Sequence, residues 1–220
     1  MKQIFPTEIL QRLKQTRVVA GFSVEKAEHA VPLAQALLTG GIDAIELTLR
    51  TPAGLAAVKA IVSGVPGMLV GVGTILTPQT AREVKMAGAD FGVAPGTNPR
   101  VVRAAVEAGL PFAPGIATPS EIEAAIELGC RFVKFFPAAA TGGVPYLRSM
   151  SAPYKHLGIQ YFPLGGLNAD NMTDYLNEPN VLAIGGSWIV QQSLVENHDW
   201  DGITARAAEV VEIAKGPSHE

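Results

Sequence analysis

Short, nearly continuous apolar runs alternate along this chain with stretches of helical spacing, and glycine marks most of the joins. The runs Arg17 to Ser23, Ile42 to Leu49 and Met68 to Val72 read as strands. The segments from about Glu25 to Gly40-Gly41, from Ala53 to Val62 and from Pro78 to Ala87 read as helices. From there the beat becomes a period of about twenty residues. Ala87-Gly88-Ala89-Asp90-Phe91, Ala108-Gly109-Leu110-Pro111-Phe112 and Leu128-Gly129-Cys130-Arg131-Phe132 each close a helix with glycine and open a strand. Strand exits repeat as well, in Ala94-Pro95-Gly96, Ala113-Pro114-Gly115 and Phe136-Pro137-Ala138. Helix starts carry a capping residue followed by proline, at Thr77-Pro78, Asn98-Pro99 and Thr118-Pro119. Two further strands, Ile159 to Pro163 and Val181 to Ile184, run into Gly165-Gly166 and Gly185-Gly186-Ser187. Helices are expected from near Asn168 and from about Asp199 to Lys215, and an amphipathic helix at Thr7 to Gln15 precedes everything else.

Strands apolar on both faces belong to parallel sheets covered by helices. Eight strand–helix alternations of that kind predict an α/β fold, a closed (β/α)8 TIM barrel with an additional N-terminal helix in residues 1–16. One domain over residues 1–220 is expected, with a disordered tail at 216–220. The rival is an open doubly wound sheet. Against it, Gly71-Val72-Gly73 lacks the third glycine of a dinucleotide fingerprint, and the chain has no Gly-Lys-Ser/Thr phosphate loop.

Composition narrows the partners. A formal charge of -3 over 220 residues, with no lysine or arginine run, argues against nucleic acid. Residues 1–16 lack the apolar block of a secretory signal, and no stretch reaches the roughly eighteen apolar residues of a membrane span. A soluble, cytoplasmic protein is the expectation. A single cysteine, Cys130, rules out an internal disulfide and reads as packing. His29, His156, His198 and His219 are scattered and show no ligand spacing, so no metal site is expected unless folding gathers them.

Lys134 lies at the centre of Cys130-Arg131-Phe132-Val133-Lys134-Phe135-Phe136-Pro137. Strand alternation puts Phe132, Lys134 and Phe136 on one face. An ammonium among aromatic rings must lose its proton or find a carboxylate, and a free amine is a nucleophile for carbonyls. In Glu46-Leu47-Thr48-Leu49-Arg50-Thr51 the apolar parity packs under helices. Glu46 and Arg50 are therefore expected to point inward, Arg50 at the carboxyl end where barrel enzymes keep their sites. A plain buried ion pair from Glu46 to Lys134 or to Arg50 would satisfy the same pattern. Gly165-Gly166 and Gly185-Gly186-Ser187 are expected to bring backbone N–H groups and helix N-termini to an anion. Thr74 has the parity of Val70 and Val72 and can present its hydroxyl at the rim.

Taken together, Glu46-Leu47-Thr48-Leu49-Arg50-Thr51, Val70-Gly71-Val72-Gly73-Thr74, Pro114-Gly115-Ile116-Ala117-Thr118, Phe132 to Pro137 and Ile184-Gly185-Gly186-Ser187-Trp188 resemble the motifs of 2-keto-3-deoxy-6-phosphogluconate aldolases. The likeness runs in order and spacing from about Arg17 to Trp188. The resemblance implies a Schiff-base aldolase needing no metal or cofactor, acting on a 2-keto acid and a phosphorylated aldehyde, and assembled as a homotrimer. It implies Lys134 as the imine-forming residue and Glu46 as general acid and base. Arg50 and Thr74 would hold the pyruvate carboxylate, and Gly165, Gly166, Gly186 and Ser187 would surround the phosphate. Two stretches depart from the family pattern: Leu164 stands where threonine is common, and Ala20-Gly21-Phe22 where Pro-Val-Ile is typical. Both bear on the aldehyde half of the substrate, which leaves 4-hydroxy-2-oxoglutarate and the 6-phosphogalactonate analogue as alternatives. An isomerase or synthase using Glu46 without an imine, and a non-catalytic sugar-phosphate binder, are the readings of other classes.

Overall fold

The computed structural model of the protein describes residues 4–216. The expected tail falls outside them except for Gly216. Its first half runs α1 (Thr7–Thr16), β1 (Val18–Phe22), α2 (Ala30–Thr39), β2 (Ala44–Thr48), α3 (Gly54–Gly64), β3 (Leu69–Gly73), α4 (Pro78–Met86), β4 (Phe91–Val93) and α5 (Pro99–Glu107). The second half runs β5 (Phe112–Ala113), β6 (Gly115–Ile116), α6 (Pro119–Glu127), β7 (Phe132–Phe135), α7 (Gly143–Ser151), β8 (Gln160–Pro163), α8 (Met172–Leu176), β9 (Ile184–Gly186), α9 (Gln192–Glu196) and α10 (Trp200–Lys215).

The strands pair parallel throughout, in two sheets: β5-β4-β3-β2-β1-β9 and β6-β7-β8. The fifth expected strand is divided between them at Pro114. Ala113 pairs with Val93 in the first sheet, and Gly115 pairs with Lys134 in the second. Proline has no N–H to give to a ladder, so a change of neighbour there costs little. The eighth expected strand is also shared. Tyr161 N donates to Asn180 O and Leu182 N to Tyr161 O, at 2.8 and 3.0 Å, before the chain turns to β1 through Ile184 N and Arg17 O at 2.8 Å.

Local chemistry sets the boundaries. Thr77, Asn98 and Thr118 each cap a helix through a side-chain oxygen, and Thr118 with Glu121 forms a reciprocal capping box. Gly88, Gly109 and Gly129 end helices with φ of 90°, 70° and 85°, a left-handed conformation that glycine adopts without strain. Three expectations need correction. The helix expected from Glu25 starts as a 3-10 turn, Ala27–His29, before α2. The helix expected from Asn168 starts only at Met172, because Asn168 Oδ1 accepts from the N–H groups of Asp170 and Asn171 and closes a turn instead. And α7 occupies a stretch in which no helix was expected.

Alternation along the strands divides the core in two. Val18, Ala20, Phe22, Ile45, Leu47, Val70 and Val72 pack outward beneath the helices, so the bulky Phe22 belongs to the helix layer. Val19, Ala44, Leu69, Phe91, Phe132, Phe162 and Leu164 face inward with Phe5, Leu10 and Leu13 from the N-terminal segment. The Phe5 ring meets Phe132 edge-on at 4.9 Å, and Phe91 lies 6.0 Å away, so the amino end of the interior is filled. An anchor holds α1 there: Arg12 Nε bonds Asp43 Oδ2 at 3.2 Å, and Thr16 bonds the other Asp43 oxygen.

Candidate active site

Above that apolar plug the interior turns polar. Glu46 on β2 and Lys134 on β7 come from different sheets, both inward-facing, and are 1% and 6% exposed. Lys134 Nζ donates to Glu46 Oε1 at 2.8 Å. Glu46 Oε2 is buried without a hydrogen-bond partner. A buried carboxylate normally uses both oxygens, so this leaves an acceptor open beside the amine. The Phe136 ring centroid lies 5.2 Å from Nζ and gives the cation a π-face.

Glycine makes the space for this pair. On β3, Gly71 and Gly73 face inward; a Cβ on Gly71 would overlap the Phe91 ring, and one on Gly73 would overlap Glu46 Oε1. Neither Gly73 nor Phe136 was assigned a role from the sequence. The signal available was parity alone, since Gly73 follows Gly71 and Phe136 follows Lys134 by two residues.

The remaining expected residues lie at the carboxyl ends of the strands, as parallel register requires. Arg50 follows β2, is exposed and leaves the strand through a bond from its N–H to Thr48 O at 2.9 Å. Its side chain stands off the Lys134–Glu46 pair rather than pairing with Glu46. Thr74 follows β3 with φ of 64°, which is uncommon for a β-branched residue and turns the chain out of the strand at the rim. Gly165 and Gly166 follow β8 with φ of 92° and 81°, and ideal Cβ positions there lie 2.9 Å from the Phe136 ring and 2.5 Å from Ala139 Cβ. Gly186 ends β9 under the Trp188 indole, and Ser187 beyond it is exposed. Neither glycine loop enters a helix directly: α8 starts at Met172 and α9 at Gln192, each five residues long. The expected help from helix N-termini is therefore reduced to the loop backbones. Leu164 sits 5% exposed on the inward face, its Cδ2 within 2.8 Å of where a Gly185 Cβ would be. A separate cavity of about 560 Å³ lies at the amino end of β8, lined by Arg148, Tyr154, Lys155, Tyr161 and Asn180, away from Lys134 and the rim.

Fold and site together define an α/β enzyme whose buried lysine–carboxylate pair is set among parallel strands and reached from their carboxyl ends. The family model described as KDPG and KHG aldolase matches residues 9–206. The KHG/KDPG aldolase of Escherichia coli (strain K12) is 44% identical over 90% of this chain and 92% of its own. The 2-dehydro-3-deoxy-phosphogluconate aldolase of Dickeya dadantii (strain 3937) is 42% identical over 93% and 95%. Among solved structures, the KDPG aldolase of Legionella pneumophila with pyruvate captured as a covalent carbinolamine superposes with a TM-score of 0.86, at 37% identity over 90% of this chain and 95% of that one. The chain belongs to the KDPG and KHG aldolase family.

Proposed function

We propose that this protein is a lysine-dependent aldolase that reversibly cleaves 2-keto-3-deoxy-6-phosphogluconate to pyruvate and glyceraldehyde 3-phosphate. The observation that carries the reading is the 2.8 Å contact between two buried groups of opposite charge, Lys134 Nζ and Glu46 Oε1. Passing a proton across that contact leaves a free amine beside a carboxylic acid. The amine adds to the keto carbon of the substrate, and Glu46 supplies the proton that lets the carbinolamine lose water to an iminium. Glu46, now a carboxylate, takes the proton of the C4 hydroxyl. The C3–C4 bond breaks, its electrons pass into the iminium as an enamine, and the aldehyde leaves. Reprotonation at C3 and hydrolysis release pyruvate and restore Lys134. Proton shuttling of this kind contributes about a hundredfold to ten-thousandfold, and the covalent electron sink divides one hard step into easier ones.

Arg50 supports the carboxylate role by its planar fork at the mouth, with Thr74 beside it. Gly165, Gly166, Gly186 and Ser187 support the phosphate role by lying around the same mouth. We extend the reading to one domain in which the two sheets join into a closed eight-stranded barrel. The Pro114 handover and the Tyr161–Leu182 bond support that closure. A homotrimer in the cytoplasm completes the proposal; among the described residues no helix is long and apolar enough to cross a membrane.

The test is borohydride reduction in the presence of pyruvate followed by peptide mass spectrometry. A pyruvate adduct on Lys134 is expected; folded protein with none would exclude the imine and leave an isomerase, a synthase or a binding protein. Leu164 favours one variation, because an apolar side chain replaces a hydroxyl on the aldehyde side. Rates on 6-phosphogluconate- and 6-phosphogalactonate-derived substrates and on 4-hydroxy-2-oxoglutarate distinguish these aldehyde halves. Light scattering reads the assembly state.

A further inference from the structure

Folding does gather two of the scattered histidines. His29 ends the 3-10 turn in the connection from β1 to α2, and His198 lies between α9 and α10 in the connection that follows β9. Because β1 and β9 are neighbours, the two connections meet, and the Nε2 atoms come to 3.0 Å from each other across 169 residues of sequence. Both rings are held in place. His198 sits in a left-handed backbone conformation at φ 55°, and its ring stacks on Trp200 with centroids 5.7 Å apart. The His29 side chain is 12% exposed and meets His198 edge-on at 4.8 Å. Glu28 places Oε1 3.9 Å from His29 Nε2 and is itself 74% exposed, so it can rotate toward the pair.

A hydrogen bond between the two imidazoles accounts for the distance, and the positive φ of His198 closes α9, with its N–H donating to Val195 O and that of Asp199 to Leu194 O, which leaves the ring facing His29. The separation also has a second meaning. Two nitrogens each about 2.1 Å from one ion and at right angles to it lie about 3.0 Å apart, whereas tetrahedral ligands lie about 3.4 Å apart. We propose that His29 and His198 form a binding site for a divalent first-row transition-metal ion with right-angled ligand geometry, of the Ni²⁺ or Cu²⁺ type. Among the described residues no group of three or more His, Cys, Asp or Glu side chains is arranged to hold a metal. Two imidazoles therefore carry this site, with water and a rotated Glu28 at the other positions. The ring that donates the present hydrogen bond moves its proton from Nε2 to Nδ1, so both nitrogens offer a lone pair and no net proton is lost. Such an ion ties the loop after β1 to the one after β9 and takes no part in the chemistry at Lys134.

The stacked indole provides the measurement. Cu²⁺ and Ni²⁺ are titrated into full-length, tag-free protein while tryptophan fluorescence is followed, with Cu²⁺ electron paramagnetic resonance on the same samples. Saturable quenching at one equivalent and nitrogen splittings from two imidazoles are expected. His29→Gln and His198→Asn, the latter chosen because asparagine tolerates a positive φ, should each weaken binding at least tenfold and remove one nitrogen. Trp200→Phe should keep the splittings and lose the quenching, and His156→Ala should change neither. Quenching that never saturates, binding unaltered by both single variants, or spectra without equatorial nitrogen would overturn the site. Borohydride trapping of pyruvate by these variants is read separately, and its failure would count against the imine without touching the metal site.

Discussion

Gly73 lies directly beneath the carboxylate of Glu46, so close that a methyl group there would overlap Oε1 and come within 2.8 Å of Cδ. The oxygen it would displace is the one bonded to Lys134. Gly73→Ala is therefore expected to swing Glu46 away from the amine while leaving the fold intact. Turnover should fall about a hundredfold, toward the value of a Glu46 variant. Adding Glu46→Gln to Gly73→Ala should cost little more, because the two changes remove the same contact. A double variant far slower than either single one would show that Gly73 acts elsewhere.

Lys134 and Glu46 are expected to separate in their effects. Lys134→Ala should abolish both cleavage and the borohydride adduct, and it should destabilise the fold by about 3–5 kcal/mol by leaving a buried carboxylate without its partner. Glu46→Gln should slow cleavage about a hundredfold to ten-thousandfold yet still permit some adduct on prolonged incubation. Urea unfolding and trapping time courses on the two proteins check this. Equal loss of trapping in both would remove Glu46 from the proton-transfer role and make it a partner for charge alone.

Alkaline pH should weaken the fold through groups far from the site. Burial pushes the Cys130 thiol up to about 12 against a smaller opposing pull from Arg131, and burial also raises the Tyr161 and Tyr175 phenols. In the unfolded chain these groups ionise near their ordinary values of about 8.5 and 10. Between about pH 9 and 12 the folded state thus holds more protons than the unfolded one, and stability falls as pH rises. Below about pH 8 they contribute no slope. Urea midpoints at pH 8, 9.5 and 11 test the direction, and Cys130→Ala should flatten the first part of the decline. A constant midpoint across that range would contradict it.

Phe5 is expected to matter as much as a central core residue although it lies near the start of the chain. It is 3% exposed and touches the rings at the base of the interior. Phe5→Ala should cost about 3–5 kcal/mol, read as a shift of the thermal midpoint, with borohydride trapping still positive at low temperature. A loss below 1 kcal/mol would mean that the N-terminal segment merely rests on the fold.

The strand and helix beat was legible because each element carries its own period and its own stop, as at Gly88, Gly109 and Gly129. Glu46 was legible because the opposite parity of its strand is apolar and packs under helices, and Lys134 because an ammonium among aromatic rings needs a carboxylate or must lose its proton. What escaped depends on neighbours that a linear reading does not contain. Pro114 reads as a strand exit, and that it hands the chain from one sheet to the other follows only once both partners are in place. No helix was expected between Ala138 and Ile159, yet Gly142 at φ 111° and Gly143 begin α7, with Pro145 inside its first turn where a missing N–H is harmless. Gly73 has no side chain to announce that Glu46 needs the space above it. The histidine pair is separated by most of the chain.

Among the described residues aromatic rings stopper the floor of the molecule, which leaves the carboxyl ends of the strands as the doorway to the amine. With the glycine loops holding the phosphate as proposed, the phosphorylated fragment stands between the tethered three-carbon acid and the exit. In the proposed mechanism the covalent bond to Lys134 sets the order of departure: aldehyde first, keto acid last. Pyruvate should accordingly act as a competitive product inhibitor against the sugar acid, and glyceraldehyde 3-phosphate as a noncompetitive one.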